Sequence, residues 1–286
     1  FARWAKEPAL FDQFQVADWQ AANLAKEQLA TDIVYLVPDL ITEGQPTFDL
    51  VLSGSEMRVF GANCLVGQVG VERPLTYIIK PHSAPNTLSA LQALYPEGQV
   101  ESPIISPLTG EELFSVFHIP INNQLGTENE EQITEDAQSP ISNPSTSSGQ
   151  VLQSPTAQFG ENIQLLGQPD IEVADGMMSI PLTWQSLGQP DGDHTYFIHL
   201  YRAGAEDEPL VAQLDQQPCL PTSRWHEGEF VMETAVLPLP PDLPPGDYTL
   251  GLGWYTWPSF ERLPLVSSNA PLTDQRHQLG QITVSP

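Results

Sequence analysis

Polar and apolar residues alternate most cleanly in the second half of the chain. Met178-Ser-Ile-Pro-Leu-Thr-Trp184 places Met178, Ile180, Leu182 and Trp184 on one face of a strand. Phe197-Ile-His-Leu-Tyr201 alternates in part, and residues 229–237 and 248–255 read as further strands. In the last of these Tyr248, Leu250, Leu252 and Trp254 share one face, while Gly251 and Gly253 keep the other slim. Proline-rich turns separate the strands, most densely at Pro238-Leu-Pro-Pro-Asp-Leu-Pro-Pro-Gly246. Several short strands at this spacing predict an antiparallel β-sandwich, jelly-roll or immunoglobulin-like, over residues 159–286.

The first 120 residues follow a different rhythm. Asp18 is placed to cap a helix whose Trp19, Ala22, Ala25 and Leu29 share a face. Ile33-Val-Tyr-Leu-Val37 reads as a buried strand. Pro46 suits the first turn of a helix carrying Phe48, Val51 and Leu52, and Asn86 can cap one carrying Leu88, Leu91 and Leu94. Residues 57–60, 75–79 and 114–119 read as strands. Alternating helices and strands predict a small α/β layered domain over residues 1–120, making the whole an α+β chain of two domains. Residues 121–158 carry Glu128, Glu130, Glu131, Glu135 and Asp136 without a cation, then a Ser/Pro-rich run. That stretch reads as an acidic linker or mobile loop, because it lacks the apolar area to offset its ordering entropy.

Charge narrows the function. The 286 residues hold 36 acidic and 10 basic side chains, for a net charge of -26. No Lys or Arg stands between Lys80 and Arg202. Phosphate backbones demand clustered cations, so nucleic-acid binding is excluded, and anionic lipid surfaces would repel the chain. No run of ~18 apolar residues offers a membrane span. With no initiator Met and no signal-peptide pattern, the sequence reads as part of something larger or as a mature product. Its two cysteines, Cys64 and Cys219, form no C-x-x-C pair and read as buried free thiols, with a disulfide between the domains as the alternative.

Candidate chemistry is sparse. The six histidines, His82, His118, His194, His199, His226 and His277, include no close ligand pair, so no catalytic metal is expected. His199 reads as a packed or edge histidine. There is no G-x-S-x-G elbow, no Walker loop and no dinucleotide fingerprint, hence no catalytic residue to nominate and no cofactor implied. Pairs of carboxylates suited to glycoside hydrolysis abound, but among 36 acids such a pair carries no information. Trp257 and Phe260 are more pointed. They flank Pro258-Ser259, a turn too short to bury both rings, and Glu261 and Arg262 follow. Exposed rings stack on sugar faces while charged neighbours bond hydroxyls, so these four residues are the candidate binding site. The structural alternative is that both rings plug the end of the sandwich.

An ordered set of short motifs adds a resemblance. These are Asp215-x-x-Pro218, Pro221-Thr222-x-x-Trp225-x-x-Gly228-Glu229, Pro245-Gly246-x-Tyr248 and Arg262-Leu263. The series resembles the C-terminal β-sandwich of bacterial multi-spanning membrane glycosyltransferases of the protein-mannosyltransferase-like class, glycosyltransferase family 39 and its relatives. Cys219 departs from the small residue that pattern carries. More weakly, Pro8, Phe11 and Phe14 before Asp18-Trp19, with the strand at Val34-Tyr35-Leu36, resemble the soluble region after the last membrane helix of such enzymes. The resemblance implies a parent enzyme that uses a polyprenyl-phosphate sugar donor at the outer face of the cell membrane. This chain would be its non-catalytic extracytoplasmic region, binding a glycan or protein acceptor or acting as a scaffold. Its partner would be the membrane-embedded remainder of the same chain, without direct insertion of this part. The family's catalytic acids sit between membrane helices, so none maps here. The motif residues have structural roles instead: Asp215 and Thr222 fix turns, Trp225 fills the core and Gly246 suits a turn. Two rival readings stand beside this one, a secreted carbohydrate- or surface-binding protein with no membrane partner and an independent glycan hydrolase.

Overall fold

The computed structural model describes residues 15–38, 46–68, 72–121, 153–205 and 210–285. These described residues are mostly β, with three sheets and few helices among them. Its chain divides into two compact units: Phe1–Leu36, Leu40–Arg58 and Gly70–Val151 form one, and Val37–Asp39, Val59–Val69 and Leu152–Pro286 form the other. The segment Val59–Val69 thus belongs to the second unit, although it lies well inside the first 120 residues.

The first unit begins with α1 (Val16–Gln28), β1 (Ile33–Val37), α2 (Pro46–Leu52) and β2 (Arg58–Val59). After β3 (Leu65–Gln68), a strand of the second unit, come β4 (Leu75–Ile79), α3 (Thr87–Leu94), β5 (Gln99–Ile105) and β6 (Glu112–Ile119). The sheet order is β2-β1-β4-β6-β5. β4 and β5 both run antiparallel to β6. The β5 register slips between Glu101 and Ile104, where Pro103 stands. Proline cannot donate to a ladder and is tolerated at an edge strand or bulge, and β5 offers both. The core stacks Tyr35 on Tyr77 at 4.8 Å, with Phe48 of α2 against Phe114.

Two expectations for α1 need correction. Asp18 does not cap the helix; it sits in the first turn, buried, 3.5 Å from Lys80 Nζ. Trp19 is exposed, because the buried face runs through Val16, Ala17, Ala21, Ala22 and Ala25. Small alanines let that face approach its neighbours closely, and an indole at its margin is left outside. Asn86 does precede α3, but its side chain makes no cap bond.

The second unit continues with β7 (Pro155–Phe159), β8 (Ile163–Leu166), β9 (Glu172–Ala174), β10 (Met177–Ser186), β11 (His194–Arg202) and β12 (Ala212–Gln216). Then follow β13 (Glu229–Pro238), β14 (Gly246–Thr256), β15 (Glu261–Arg262), β16 (Leu265–Ser268), β17 (Pro271–Leu272) and β18 (Arg276–Val284). One sheet has the order β16-β7-β8-β10-β13-β3, with β9 on β10; the other has β12-β11-β14-β18-β17, with β15 on β14. The two sheets share a core of aromatic rings. Trp184 of β10 meets Trp254 of β14 edge-on at 4.8 Å, and Tyr196 of β11 and Trp225 complete the cluster. The alternation that the sequence showed in β10 is the alternation of burial, with Met178, Ile180, Leu182 and Trp184 inside.

The cysteines are not free thiols. Cys64 and Cys219, 155 positions apart in sequence, form a disulfide with Cα atoms 5.6 Å apart. It lies within the second unit. Cys64 directly precedes β3, which pairs antiparallel with β13 from Leu65 opposite Met232 to Gln68 opposite Glu229. Gln68 Nε2 donates to the Glu227 carbonyl at 3.1 Å, and the Arg224 guanidinium donates to the Val59 carbonyl at 3.0 Å. Of the expected linker at 121–158, residues 122–152 lie outside the described residues, while residues 155–159 are already strand β7.

Candidate functional site

The outer face of the sheet that carries β11 and β14 holds a continuous row of aromatic rings, of which Phe197, Tyr201 and Tyr255 are buried. Period-2 geometry sends Tyr196, Ile198 and Leu200 inward, so Phe197, His199 and Tyr201 line the opposite face. Their cross-strand partners on β14 include Gly253 opposite Phe197 and Gly251 opposite His199. A Cβ at Gly253 would collide with the Phe197 ring, so glycine there is what lets the ring lie flat on the sheet. Phe197 packs against His199 at 4.4 Å, and His199 Nδ1 lies 2.7 Å from the Tyr201 hydroxyl. Two guanidiniums cover these rings: Arg262 over Phe197 at 4.7 Å and Arg276 over Tyr201 at 4.5 Å. Burial, and then the Arg262 charge, lowers the His199 pKa to about 4, so this imidazole is neutral at pH 7.

The surface climbs out of this floor at the β14–β15 turn. Tyr255 lies 6.2 Å from Phe197, Phe260 stacks on Tyr255 at 5.5 Å, and Trp257 meets Phe260 edge-on at 4.9 Å. The turn is held by Phe260 N–H to the Thr256 carbonyl at 2.8 Å and Ser259 Oγ to the same carbonyl at 3.1 Å. Phe260 adopts a φ of 58°, the left-handed region that side chains seldom occupy. With 60% and 61% of their surface exposed, Trp257 and Phe260 stand in solvent rather than plugging the sandwich.

Of the remaining candidates, Glu261 is exposed on β15. Arg262 donates from Nη1 to both the backbone carbonyl and the carboxylate of Asp274, which fixes its guanidinium above Phe197. Asp215 is bonded to the Tyr255 side chain, and burial with that neighbouring charge raises the Tyr255 pKa. Asp215 therefore serves the aromatic surface from strand β12 and does not fix a turn. On the far side of the turn, His194 Nε2 lies 3.2 Å from Asp191 Oδ1, and His194 Nδ1 lies 3.2 Å from Thr256 Oγ1.

The other motif residues build the frame. Thr222 Oγ1 donates to the Gly192 carbonyl and accepts from the His194 N–H, joining two loops. Trp225 is fully buried and its Nε1 donates to the Leu220 carbonyl at 2.8 Å. Pro218 is buried beside the disulfide. Gly228 takes a φ of 78°, which glycine alone adopts freely, and Glu229 accepts from the His226 N–H at 2.8 Å. Gly246 opens β14, and the Tyr248 hydroxyl donates to the Pro244 carbonyl at 2.7 Å.

Two polar clusters lie elsewhere. Asp32 accepts from Thr76 Oγ1 at 2.6 Å, with His118 Nδ1 3.3 Å away, but Thr76 is 1% exposed and presents no nucleophile to solvent. In the sandwich core the Glu233 carboxylate accepts from Trp184 Nε1 at 2.8 Å and from the Cys219 N–H at 2.9 Å. Burial raises its pKa, and burial with that nearby charge raises the Tyr196 pKa too. The sequence pattern held a signal for Glu233, an acid at an inward position of β13. Among the described residues no group of three or more His, Cys, Asp and Glu side chains is placed to hold a metal.

No family model matches this chain, and no curated protein matches it in sequence.

Proposed function

We propose that this chain binds glycans as the non-catalytic extracytoplasmic region of a membrane glycosyltransferase that uses a polyprenyl-phosphate donor, holding acceptor near a membrane active site. The observation that carries the glycan reading is the exposed edge-to-face pair Trp257–Phe260, held rigidly at one end of an aromatic surface. Rigid rings offer apolar area for a pyranose face at small entropic cost. Glu261 and Arg262, the residues that follow Phe260, supply hydrogen-bonding groups next in the chain, with Arg262 positioned by Asp274. The Cys64–Cys219 disulfide supports an oxidising, extracytoplasmic setting, since such bonds seldom persist in a reducing cytosol. Among the described residues no helix is long and apolar enough to cross a membrane, so membrane attachment in this reading belongs to another part of the parent protein. The ordered motifs from Asp215 to Leu263 support the glycosyltransferase assignment. The finer fold reading, a separate immunoglobulin-like sandwich domain, draws support from the Tyr248–Pro244 bond, which ties the start of a strand to the preceding corner as a tyrosine corner does.

Stacking with a few hydrogen bonds gives dissociation constants of about a millimolar, roughly -4 kcal/mol, enough to concentrate acceptor without trapping product. A panel of bacterial-surface oligosaccharides, titrated by calorimetry against wild type and Trp257→Ala, tests this. At least one sugar should bind the wild type, and the substitution should remove that binding while the melting temperature stays unchanged. Silence across the panel, or binding that survives the substitution, would refute the assignment.

A further inference from the structure

The exposed rings stand at the end of a stack that begins in the sheet. Phe197, Tyr255 and Phe260 follow one another at 6.2 Å and 5.5 Å, with interplanar angles of 29° and 27°, and Trp257 closes the series edge-on. Phe260 reaches its place with a φ of 58°, which its side chain disfavours, so the turn needs an anchor. The ladder that returns the chain is short. β15 is two residues long, pairing Tyr255 with Arg262 and Thr256 with Glu261. Beyond it the chain leaves for the other sheet, and the Pro264 carbonyl accepts from the Gly160 N–H. The turn between β17 and β18 supplies the grip. Asp274 accepts from Arg262 Nη1 through both its carboxylate and its backbone carbonyl, and Gln275 Oε1 accepts from the Leu265 N–H at 2.6 Å. These bonds hold the chain on either side of Leu263 and Pro264. Arg262 lies opposite Tyr255 and shares its face of the sheet, with the guanidinium 4.7 Å over Phe197 at the base of the stack.

Resting on the glycan reading above, we infer that Asp274 is a positioning residue for the Trp257–Phe260 pair, acting through Arg262 and not by touching sugar. The clamp fixes where β15 ends, and with it the angle at which the two rings face solvent. An ion pair this exposed, 63% for the Asp274 side chain and 30% for that of Arg262, adds little to global stability. Its effect is therefore local, on the turn it anchors. Rings fixed before the ligand arrives bind more tightly, because less freedom is lost on binding.

The test follows the Trp257 indole N–H by NMR, first without ligand and then during titration with two uncharged chains, cellotetraose and N-acetylated chitotetraose. Asp274 has a φ of 61°, which Asn and Gly tolerate, so Asp274→Asn and Asp274→Gly both suit the backbone of the turn. Asp274→Gly removes the side-chain acceptor, whereas Asp274→Asn keeps one. Asp274→Gly should move the ligand-free resonance toward that of a free indole and weaken sugar binding about fivefold, a difference of roughly 1 kcal/mol. Its melting temperature should stay unchanged. Asp274→Asn should retain the wild-type resonance and most of the affinity. Arg262→Ala should reproduce the ligand-free shift, and adding Asp274→Gly to it should move the resonance no further. A resonance that stays in place in Asp274→Gly, or additive shifts in the double variant, overturns the inference but leaves glycan binding standing. Unchanged affinity in Asp274→Gly overturns it too, as does lost affinity with a large fall in melting temperature, the mark of a merely structural role. If neither sugar moves the wild-type signal, it is the glycan reading that fails, and the binding role of the clamp goes with it.

Discussion

Trp225 shows what a buried side chain does for this molecule. Its ring lies edge-on to Trp254 at 6.2 Å, and its indole N–H is committed to the Leu220 carbonyl. Trp225→Ala should lower the unfolding free energy by ~3–5 kcal/mol, read from urea denaturation, because deleting a large aromatic leaves a cavity. Titratable residues act in opposite directions. Burial lowers the His277 pKa from 6.5 to about 4. A depressed folded-state pKa means that its stabilising contribution is complete above pH 6.5 and is lost as pH falls toward 4, on the order of 3 kcal/mol for this fully buried ring. His199, also lowered to about 4, adds in the same sense. Glu233 is raised above 4.5, so its contribution is greatest in acid and is lost as pH rises beyond that value. Urea unfolding at a series of pH values should show stability falling from pH 6.5 to 4 in wild type and falling less in His277→Phe. Glu233→Gln should make the acid loss steeper, because the opposing term is gone.

At the scale of elements, strands whose neighbours in sequence enforce alternation were legible: β10 and β14 carry their inward faces in plain view. Trp257 and Phe260 were legible as turn residues for the same reason. The floor beneath them was not. β11 is buried on both faces, so Phe197, His199 and Tyr201 merge with Tyr196, Ile198 and Leu200 into one apolar run with no visible outer face. β3 was equally hidden, since a four-residue strand that joins a sheet through partners more than 150 residues away leaves no local trace. The disulfide beside it should matter in proportion to the loop it closes. A closure of 155 residues corresponds to about 5 kcal/mol in the chain-entropy view. Cys64→Ala/Cys219→Ala, or reduction of the wild type, should therefore depress the melting temperature markedly, and hydrogen exchange should rise at Glu229–Met232, the residues that β3 covers. Unchanged protection there would mean that the strand pairing holds without the bond.

Across the whole molecule, a charge of -26 dominates long-range behaviour. Like charges repel within the compact state, and salt screens them over about 10 Å at 0.1 M. The melting temperature should rise as sodium chloride is raised from low to physiological concentration; a fall would show that specific ion pairs outweigh the general repulsion. The same composition made polyanion binding implausible from the outset. What it could not reveal was that aromatic rings and the guanidiniums that cover them meet on one face of one sheet, a juxtaposition set by the pairing of β11, β14 and β15. The central claim is that this face binds sugar through Trp257 and Phe260. The chain has six tryptophans, and at least three of them, Trp184, Trp225 and Trp254, are buried. A glycan titration followed by the indole N–H resonances of the whole protein therefore tests the claim most directly. The account predicts a saturable shift of the Trp257 resonance at about millimolar sugar, with those three core resonances still and the response absent in Trp257→Ala. Stationary resonances throughout, or shifts confined to other tryptophans, would contradict it.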